Sequence, residues 1–113
     1  MKSRAAFGDE WLDADNDCHN TRAEVLCCTP TYALHLADVA RKEDIEVRVE
    51  KIIVAGEPGG SILSVRERMS AAWGGAEVVD HYGMTEVGPV SYEITAMPGH
   101  LFVIEEAYFA EVI

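Results

Sequence analysis

KIIVAGEPGG, residues 51–60, is the stretch of sequence that decides the fold. Its first five residues form a short apolar run typical of a buried strand, and its glycines and proline predict a sharp turn. A helix is expected next, capped by Ser61 or by Ser64, which would form a capping box with Glu67. The glycine pair at 74–75 predicts the end of that helix. The predicted buried stripe of the helix is Ile62, Val65, Met69, Ala72 and Trp73.

The same alternation continues on both sides of this stretch. Upstream, the apolar run at 25–28 predicts a strand buried on both faces, followed by a helix that begins at Pro30 or Thr31. Downstream, residues 76–81 predict a third strand that leads into a turn at 82–86. Strands that alternate with helices indicate right-handed crossovers on a parallel sheet. The predicted fold class is therefore α/β, built on a short parallel βαβαβ unit.

The pattern changes after Pro89. Apolar and polar residues alternate over 90–95, and Met97-Pro98-Gly99 predicts a turn before a second short run at 101–104. A third such run covers 108–113. Together they predict a small antiparallel β meander after the parallel unit.

Composition excludes several functional classes. The 113 residues carry 20 acidic and 9 basic side chains, and the resulting net charge of −11 would repel nucleic acids and anionic membranes. No apolar run approaches the roughly 18 residues that span a bilayer, and no signal peptide is evident. We therefore expect a soluble cytoplasmic protein that binds neither nucleic acid nor membrane. The three cysteines lack framework spacing, so reduced thiols are expected.

Residues 1–23 form a polar, turn-rich stretch and are interpreted as an acidic arm, separate from the α/β unit at 24–113. Four acidic residues have the spacing of calcium ligands in an EF-hand loop. However, Cys18 occupies the position where that loop needs glycine, so a solvated acidic loop is the alternative. The four residues are Asp13, Asp15, Asp17 and Glu24.

Two glycine-bearing segments follow predicted strands, at 55–60 and at 81–86. Ligands of open α/β sheets bind outside the carboxyl ends of the strands, so both segments are expected to face one site. Tyr82 offers a flat stacking surface, Thr85 a hydroxyl donor and Glu86 a hard oxygen ligand for magnesium. These groups suit a nucleotide, and ordinary turn chemistry is the alternative.

A family resemblance favours the nucleotide. Residues 25–113 resemble an internal piece of an AMP-forming acyl-CoA ligase, in the phenylacetate-CoA ligase branch of the adenylate-forming superfamily. The resemblance rests on five segments in collinear order. They are VLCCTPTYALHLADVA, KIIVAGEPGGS, SVRERMSAAWG, DHYGMTEVGPVSYE and IEEAYFAEVI.

The resemblance implies a role for each residue of the two glycine-bearing segments. Thr85 would bind the AMP phosphate and Glu86 would hold magnesium, and these two are the implied catalytic residues. The other implied nucleotide-binding positions are Gly56, Glu57, Pro58 and Gly59 (with Gly60) at the adenine, Asp80, His81 and Tyr82 beside the adenine and the acyl pocket, and Gly83 and Met84 within YGMTE, residues 82–86, the signature motif of the family.

The implied reaction joins a carboxylic acid to coenzyme A at the expense of ATP. The substrate carboxylate attacks the α-phosphate of ATP to give an acyl-adenylate, and the CoA thiol then displaces AMP. Aryl and arylacetic acids are the implied substrates. The phosphate loop, the ribose-binding aspartate and the lid lysine of the family are missing from the sequence, so we expect the chain alone to be inactive. Its exposed strand edges favour homodimerisation, or docking onto a chain that supplies those parts.

Two further ligand questions arise from related families. Some relatives place a cysteine and a histidine around the Pro-Gly turn, where zinc binds, but Ile94 and Phe102 occupy those positions here. Only Glu93 and His100 remain nearby, so no zinc is expected. Residues 5–26 resemble a segment of secreted HNH-type nucleases without the catalytic histidine motif, and nuclease activity is not expected.

Overall fold

The computed structural model describes residues 5–6 and 25–113 of the chain. Within these two ranges, six strands form one sheet, and their spatial order is the same as their order in the sequence. The first four strands pair in parallel and the last three pair antiparallel, which confirms the predicted α/β class. The strands are β1 (Ala5–Ala6), β2 (Val25–Cys28), β3 (Lys51–Val54), β4 (Glu77–Met84), β5 (Gly88–Glu93) and β6 (Leu101–Val103).

Helix α1 spans Pro30–Lys42 and connects β2 to β3. Thr29 is its N-cap, because the Thr29 hydroxyl accepts a hydrogen bond from the N–H of Tyr32 at 3.3 Å. Pro30 stands in the first turn, where the missing N–H of proline costs nothing. The predicted start of this helix is confirmed.

Helix α2 spans Leu63–Ala72 and connects β3 to β4. The predicted serine caps are wrong. Ile62 is the N-cap and makes no side-chain cap hydrogen bond, because a tight turn, in which Ile62 N–H donates to Gly59 O, already starts the helix there. Ser64 therefore lies inside the helix and not at its cap. The predicted buried stripe shrinks as well, because Ile62 is 44% exposed and Ala72 is also exposed.

The core lies between the parallel strands and the two helices. Right-handed crossovers between neighbouring strands place α1 and α2 on the same face of the sheet. The strand residues that point to that face are fully or almost fully buried, and they pack against Leu36, Met69 and Trp73. Trp73 also donates its ring N–H to the carbonyl oxygen of Ala33 at 2.9 Å, which ties α2 to α1. The buried strand residues are Leu26, Ile52, Val54 and Val78.

The opposite face of the parallel strands carries a second apolar row. Cys27 pairs with Ile53, and Ile53 pairs with Val79, so the three side chains lie side by side across the sheet. All three are only partly buried, and neither α1 nor α2 covers them. The prediction that residues 25–28 are buried on both faces is therefore wrong for the part of the chain that the structure describes.

The antiparallel part differs from the predicted meander in two ways. β4 continues to Met84, so the predicted turn at 82–86 begins only at Thr85. Tyr108–Ile113 forms no strand, and a turn in which the Ala107 and Tyr108 N–H groups donate to Ile104 O precedes it. The Tyr108 hydroxyl instead donates to Val87 O.

The calcium-ligand hypothesis concerns residues outside those described, and so does most of the nuclease-like segment at 5–26. The residues concerned are Asp13, Asp15, Asp17 and Glu24. Within the described ranges, neither helix has the combination of length and apolar sequence needed to cross a membrane.

Candidate nucleotide site

The loop that follows β3 and the end of the parallel part of β4 meet at the carboxyl edge of the sheet. Val54 and Asp80 are register partners on β3 and β4. A Cβ atom on Gly60 would lie 2.5 Å from Asp80 Cγ and 2.8 Å from Val54 Cγ2, so the loop backbone presses directly on both strands. The glycine loop (residues 55–60) and Asp80 are therefore brought together.

The glycine loop is also attached to the start of α1. A Cβ atom on Gly59 would lie 2.6 Å from Pro30 Cβ, so only glycine allows this approach. The Glu57 carboxylate accepts a hydrogen bond from the N–H of Thr31 at 2.5 Å. Hydrogen bonds from the Thr31 hydroxyl and N–H hold the pKa of Glu57 below its ordinary value. The Glu57 side chain therefore caps the helix, where a negative charge is favourable.

The signature motif lies on a strand that changes its pairing. β4 is parallel to β3 up to Asp80 and antiparallel to β5 from His81 onward, with an irregularity between Tyr82 and Gly83. A Cβ atom on Gly83 would lie 2.8 Å from the Gly88 carbonyl oxygen, so the close approach of β5 to β4 requires glycine at this position. The ring of Tyr82 is 51% exposed and open to a stacking partner.

Thr85 and Glu86 lie in the turn between β4 and β5, and both are exposed. The turn is closed by the Val87 N–H, which donates to Met84 O at 3.2 Å. Thr85 is five residues beyond Asp80, which corresponds to about 16 Å of extended strand. The predicted catalytic pair is thus carried at the tip of the β4–β5 hairpin, away from the glycine loop.

His81 occupies the point where the pairing of β4 changes. Its Nδ1 atom is buried and has no hydrogen-bond partner among the described residues. Buried polar atoms in folded proteins are nearly always paired, and an exception marks a place where another group can supply the partner. His81 Nδ1 therefore has unused hydrogen-bonding capacity at this point of β4.

Sequence reasoning missed the strongest polar cluster of the site. Arg66 of α2 and Glu93 of β5 form a two-pronged ion pair, with N–O distances of 2.6 and 2.8 Å. The side chain of Arg66 is 15% exposed and that of Glu93 is 2% exposed. The sequence pattern could have indicated a buried arginine, because Arg66 lies on the same face of the helix as Met69 and Trp73, where an apolar residue is expected.

Opposed effects set the charges around this ion pair. Burial alone would raise the pKa of Glu93, but hydrogen bonds from Arg66 and from the Gly99 N–H outweigh it and lower the pKa. The hydrogen bond to Glu93 raises the pKa of Arg66. Burial, and then the nearby negative charge of Glu93, raise the pKa of Asp80. Glu93 and Arg66 are therefore held in their charged forms, whereas Asp80 is pushed toward its neutral form.

The site can hold magnesium only as an ion that is bound mainly by nucleotide phosphates. Among residues 25–113, no three His, Cys, Asp or Glu side chains come together as a metal cage. A magnesium ion bridging phosphate oxygens needs only one or two protein carboxylates, and the exposed Glu86 can be one of them. Glu93 is occupied by Arg66 and is not free to act as a metal ligand.

A cleft of about 720 Å³ lies elsewhere, between α1 and α2. Its lining includes Ile45, which precedes β3, and Trp73, which precedes β4, so it opens at the amino ends of these strands. Ligands of open α/β sheets bind at the carboxyl ends. The glycine loop is therefore the better candidate.

Comparison with families and curated sequences gives no match. No protein-family model matches the chain. No curated protein is significantly similar to it.

Solved structures of 2-hydroxyisobutyryl-CoA ligase do match. The open conformation with 2-HIB-AMP and CoA has a TM-score of 0.63 and 28% identity, over 72% of this chain and 20% of that one. The postadenylation state with 2-HIB-AMP gives 0.63 and 28%, over 72% and 18%. The thioesterification state gives 0.61 and 29%, over 71% and 18%. This chain thus spans about a fifth of their length, and its α/β fold matches a fragment of a domain of an adenylate-forming enzyme.

Proposed function

We propose that this chain carries part of the nucleotide site of an AMP-forming acyl-CoA ligase. The observation that carries the proposal is the structural match to a ligase solved with an acyl-AMP and CoA, at 28% identity over 72% of this chain. The geometry supports it, because the glycine loop meets Asp80 at the carboxyl edge of the sheet, where nucleotides bind in such folds.

Each residue of the site has a chemical role in this proposal. The Thr85 hydroxyl donates a hydrogen bond to the AMP phosphate, and the Tyr82 ring stacks on a flat group of the ligand. The Glu86 carboxylate holds magnesium, which neutralises phosphate charge when bound. The glycine loop lies against the adenine, and the orphaned His81 Nδ1 finds its hydrogen-bond partner in the bound adenylate.

Two classes of acyl group are candidates within this proposal. The resemblance of DHYGMTEVGPVSYE to the phenylacetate-CoA ligase branch favours an aryl or arylacetic acid. The matched structures hold the adenylate of a small hydroxy acid instead. Non-hydrolysable adenosine analogues that carry a phenylacetyl or a 2-hydroxyisobutyryl group separate the two classes by their relative affinity.

Thermal melting with the phenylacetyl analogue and Mg²⁺ tests the proposal. Binding to the folded state alone adds about 2.7 kcal/mol at one hundred times Kd, so the melting temperature should rise by several degrees. Glu86→Gln should remove the magnesium dependence of this rise, whereas Glu106→Gln, in an exposed turn, should retain it. No rise with either analogue at millimolar concentration would sink the proposal.

The partly buried apolar row on the sheet favours a second candidate function, that of a docking module. Parallel sheets are normally covered on both faces, but α1 and α2 cover only one. A chain that carries the missing ligase parts, or a second copy of this chain, would bury Cys27, Ile53 and Val79. Light scattering should then give a mass above 12.4 kDa that rises with concentration. Ile53→Lys should reduce that mass, and a monomer at every concentration would exclude self-association.

A further inference from the structure

One guanidinium group joins three parts of the candidate site. Arg66 Nη1 donates to the Gly60 carbonyl oxygen at 2.6 Å, at the end of the glycine loop. Arg66 Nη2 donates to the Val78 carbonyl oxygen on β4, also at 2.6 Å. Both nitrogens donate to Glu93 on β5, and Glu93 accepts a further hydrogen bond from the Gly99 N–H at 3.2 Å. The loop, β4 and β5 therefore share one charged centre.

Stability alone is a weak reason for this arrangement. Removing two charges from water is costly, and a well-packed apolar pair of the same volume is often as stable as a buried ion pair. The ion pair instead fixes the relative positions of its partners, because the planar, forked guanidinium of arginine makes four hydrogen bonds at once. A lysine has a single ammonium group and cannot reach the Gly60 and Val78 carbonyls together with both Glu93 oxygens.

We propose that Arg66 and Glu93 act as a positioning clamp that fixes the glycine loop relative to the β4–β5 hairpin and so sets the geometry of the adenylate site. This inference rests on the proposed nucleotide function. Neither residue touches the ligand in this scheme. Arg66 acts through Gly60 on the loop, and Glu93 acts through β5 on the hairpin that presents Thr85 and Glu86.

Correct spacing between the loop and the hairpin matters for an adenylate. The adenine end of the ligand would contact the loop and the phosphate end would contact the hairpin tip, so a relative shift of the two elements strains one end of the ligand. Misplacements of about 1 Å can reduce rates by about 100-fold in well-positioned sites. A clamp that joins the loop to the base of the hairpin reduces this freedom.

Amide hydrogen exchange of the full chain tests the clamp without any ligand. Arg66→Lys retains the charge but loses the fork, and Arg68→Lys, an exposed position on the same helix, is the matched control. We expect Arg66→Lys to speed exchange about tenfold at the hydrogen-bonded amides of Ala55, Val87 and Gly99, with little change at Leu26 and Ile52. Unchanged exchange, or an equal increase throughout the chain, would overturn the clamp.

Affinity for the phenylacetyl-adenylate analogue gives the second readout. Arg66→Lys should weaken binding about 10- to 100-fold while Arg68→Lys binds as wild type does. Glu93→Gln, which retains the shape of the side chain, should weaken binding similarly and serves as the second variant if Arg66→Lys fails to fold. If wild type binds no analogue, the proposed function fails while hydrogen exchange still decides the clamp. If wild type and Arg66→Lys bind equally, the clamp fails and the proposed function stands.

Discussion

The Asp80 carboxyl group is confined between a glycine and a buried ion pair. Its Cγ would lie 2.5 Å from a Cβ atom on Gly60, and its pKa is raised first by burial and then by the charge of Glu93. A raised pKa means that the folded protein binds the Asp80 proton more tightly than the unfolded chain does. The ionised form of this residue therefore opposes folding at neutral pH.

Asp80→Asn should consequently stabilise the protein at pH 7. The penalty for the charge is absent below the unfolded pKa and grows as pH rises through the raised folded pKa, so the gain should vanish below about pH 3. Urea unfolding of wild type and variant at both pH values measures the difference. Glu106→Gln, at an exposed position, is the control and should change little at either pH. Lower stability of Asp80→Asn at pH 7 would contradict the expected sign.

Gly60→Ala should destabilise the fold through a direct clash. The new Cβ atom would lie 2.5 Å from Asp80 Cγ and 2.8 Å from Val54 Cγ2, and such overpacking typically costs about 1–3 kcal/mol. Removing the carboxyl group relieves part of the clash, so the double variant Gly60→Ala/Asp80→Ala should cost less than the sum of the two single variants. Urea unfolding of all four proteins gives this coupling, and strict additivity would show that the loop moves away freely.

At the scale of elements, hydrophobic patterning locates the parallel unit well. The runs at 25–28 and 51–54 become β2 and β3, and Pro30 begins α1, because burial under the helices selects the same residues that sequence periodicity selects. Patterning fails beyond Asp80. Gly83 suggests a turn, yet β5 supplies a backbone close enough that glycine is needed inside the strand.

Some features of the candidate site could likewise be predicted from the sequence, and others could not. The meeting of the glycine loop with Asp80 follows from topology, because the carboxyl ends of adjacent parallel strands share one edge. The Arg66–Glu93 pair joins residues 27 positions apart and depends on the tertiary positions of α2 and β5, which local sequence does not encode. The extent of β4 likewise depends on its tertiary partner, so the position of Thr85 and Glu86 at a hairpin tip could not be predicted.

Helix α1 depends on its N-cap. Thr29→Ala removes the acceptor for the Tyr32 N–H and should cost about 1 kcal/mol, which corresponds to about 4–8 °C in melting temperature for a small domain. Thr29→Ser retains a hydroxyl acceptor and should lie much closer to wild type. Thermal melting followed by circular dichroism compares the three proteins. Equal melting temperatures for the alanine and serine variants would show that Glu57 alone caps the helix.

For the whole molecule, the net charge of −11 should make stability depend on salt. Self-repulsion destabilises the compact state, and ions screen it over about 10 Å at 0.1 M. The melting temperature should therefore rise between 0.02 and about 0.5 M sodium chloride. Ion pairs on the surface, such as Lys51–Glu77 at 3.3 Å, are too weak to reverse this trend. A falling melting temperature would mean that attractive pairs dominate the electrostatics.

The agreement between strand order in space and in sequence also bears on how the protein is made. Each strand from β2 to β6 pairs with the strand that precedes it in the chain, so every new strand finds its template already synthesised. Such pairing needs no later segment of the chain, and domains begin to fold from the N-terminal end during translation. The sheet can therefore form one strand at a time during translation. Strands up to β4 are added in parallel, and β5 and β6 are added antiparallel.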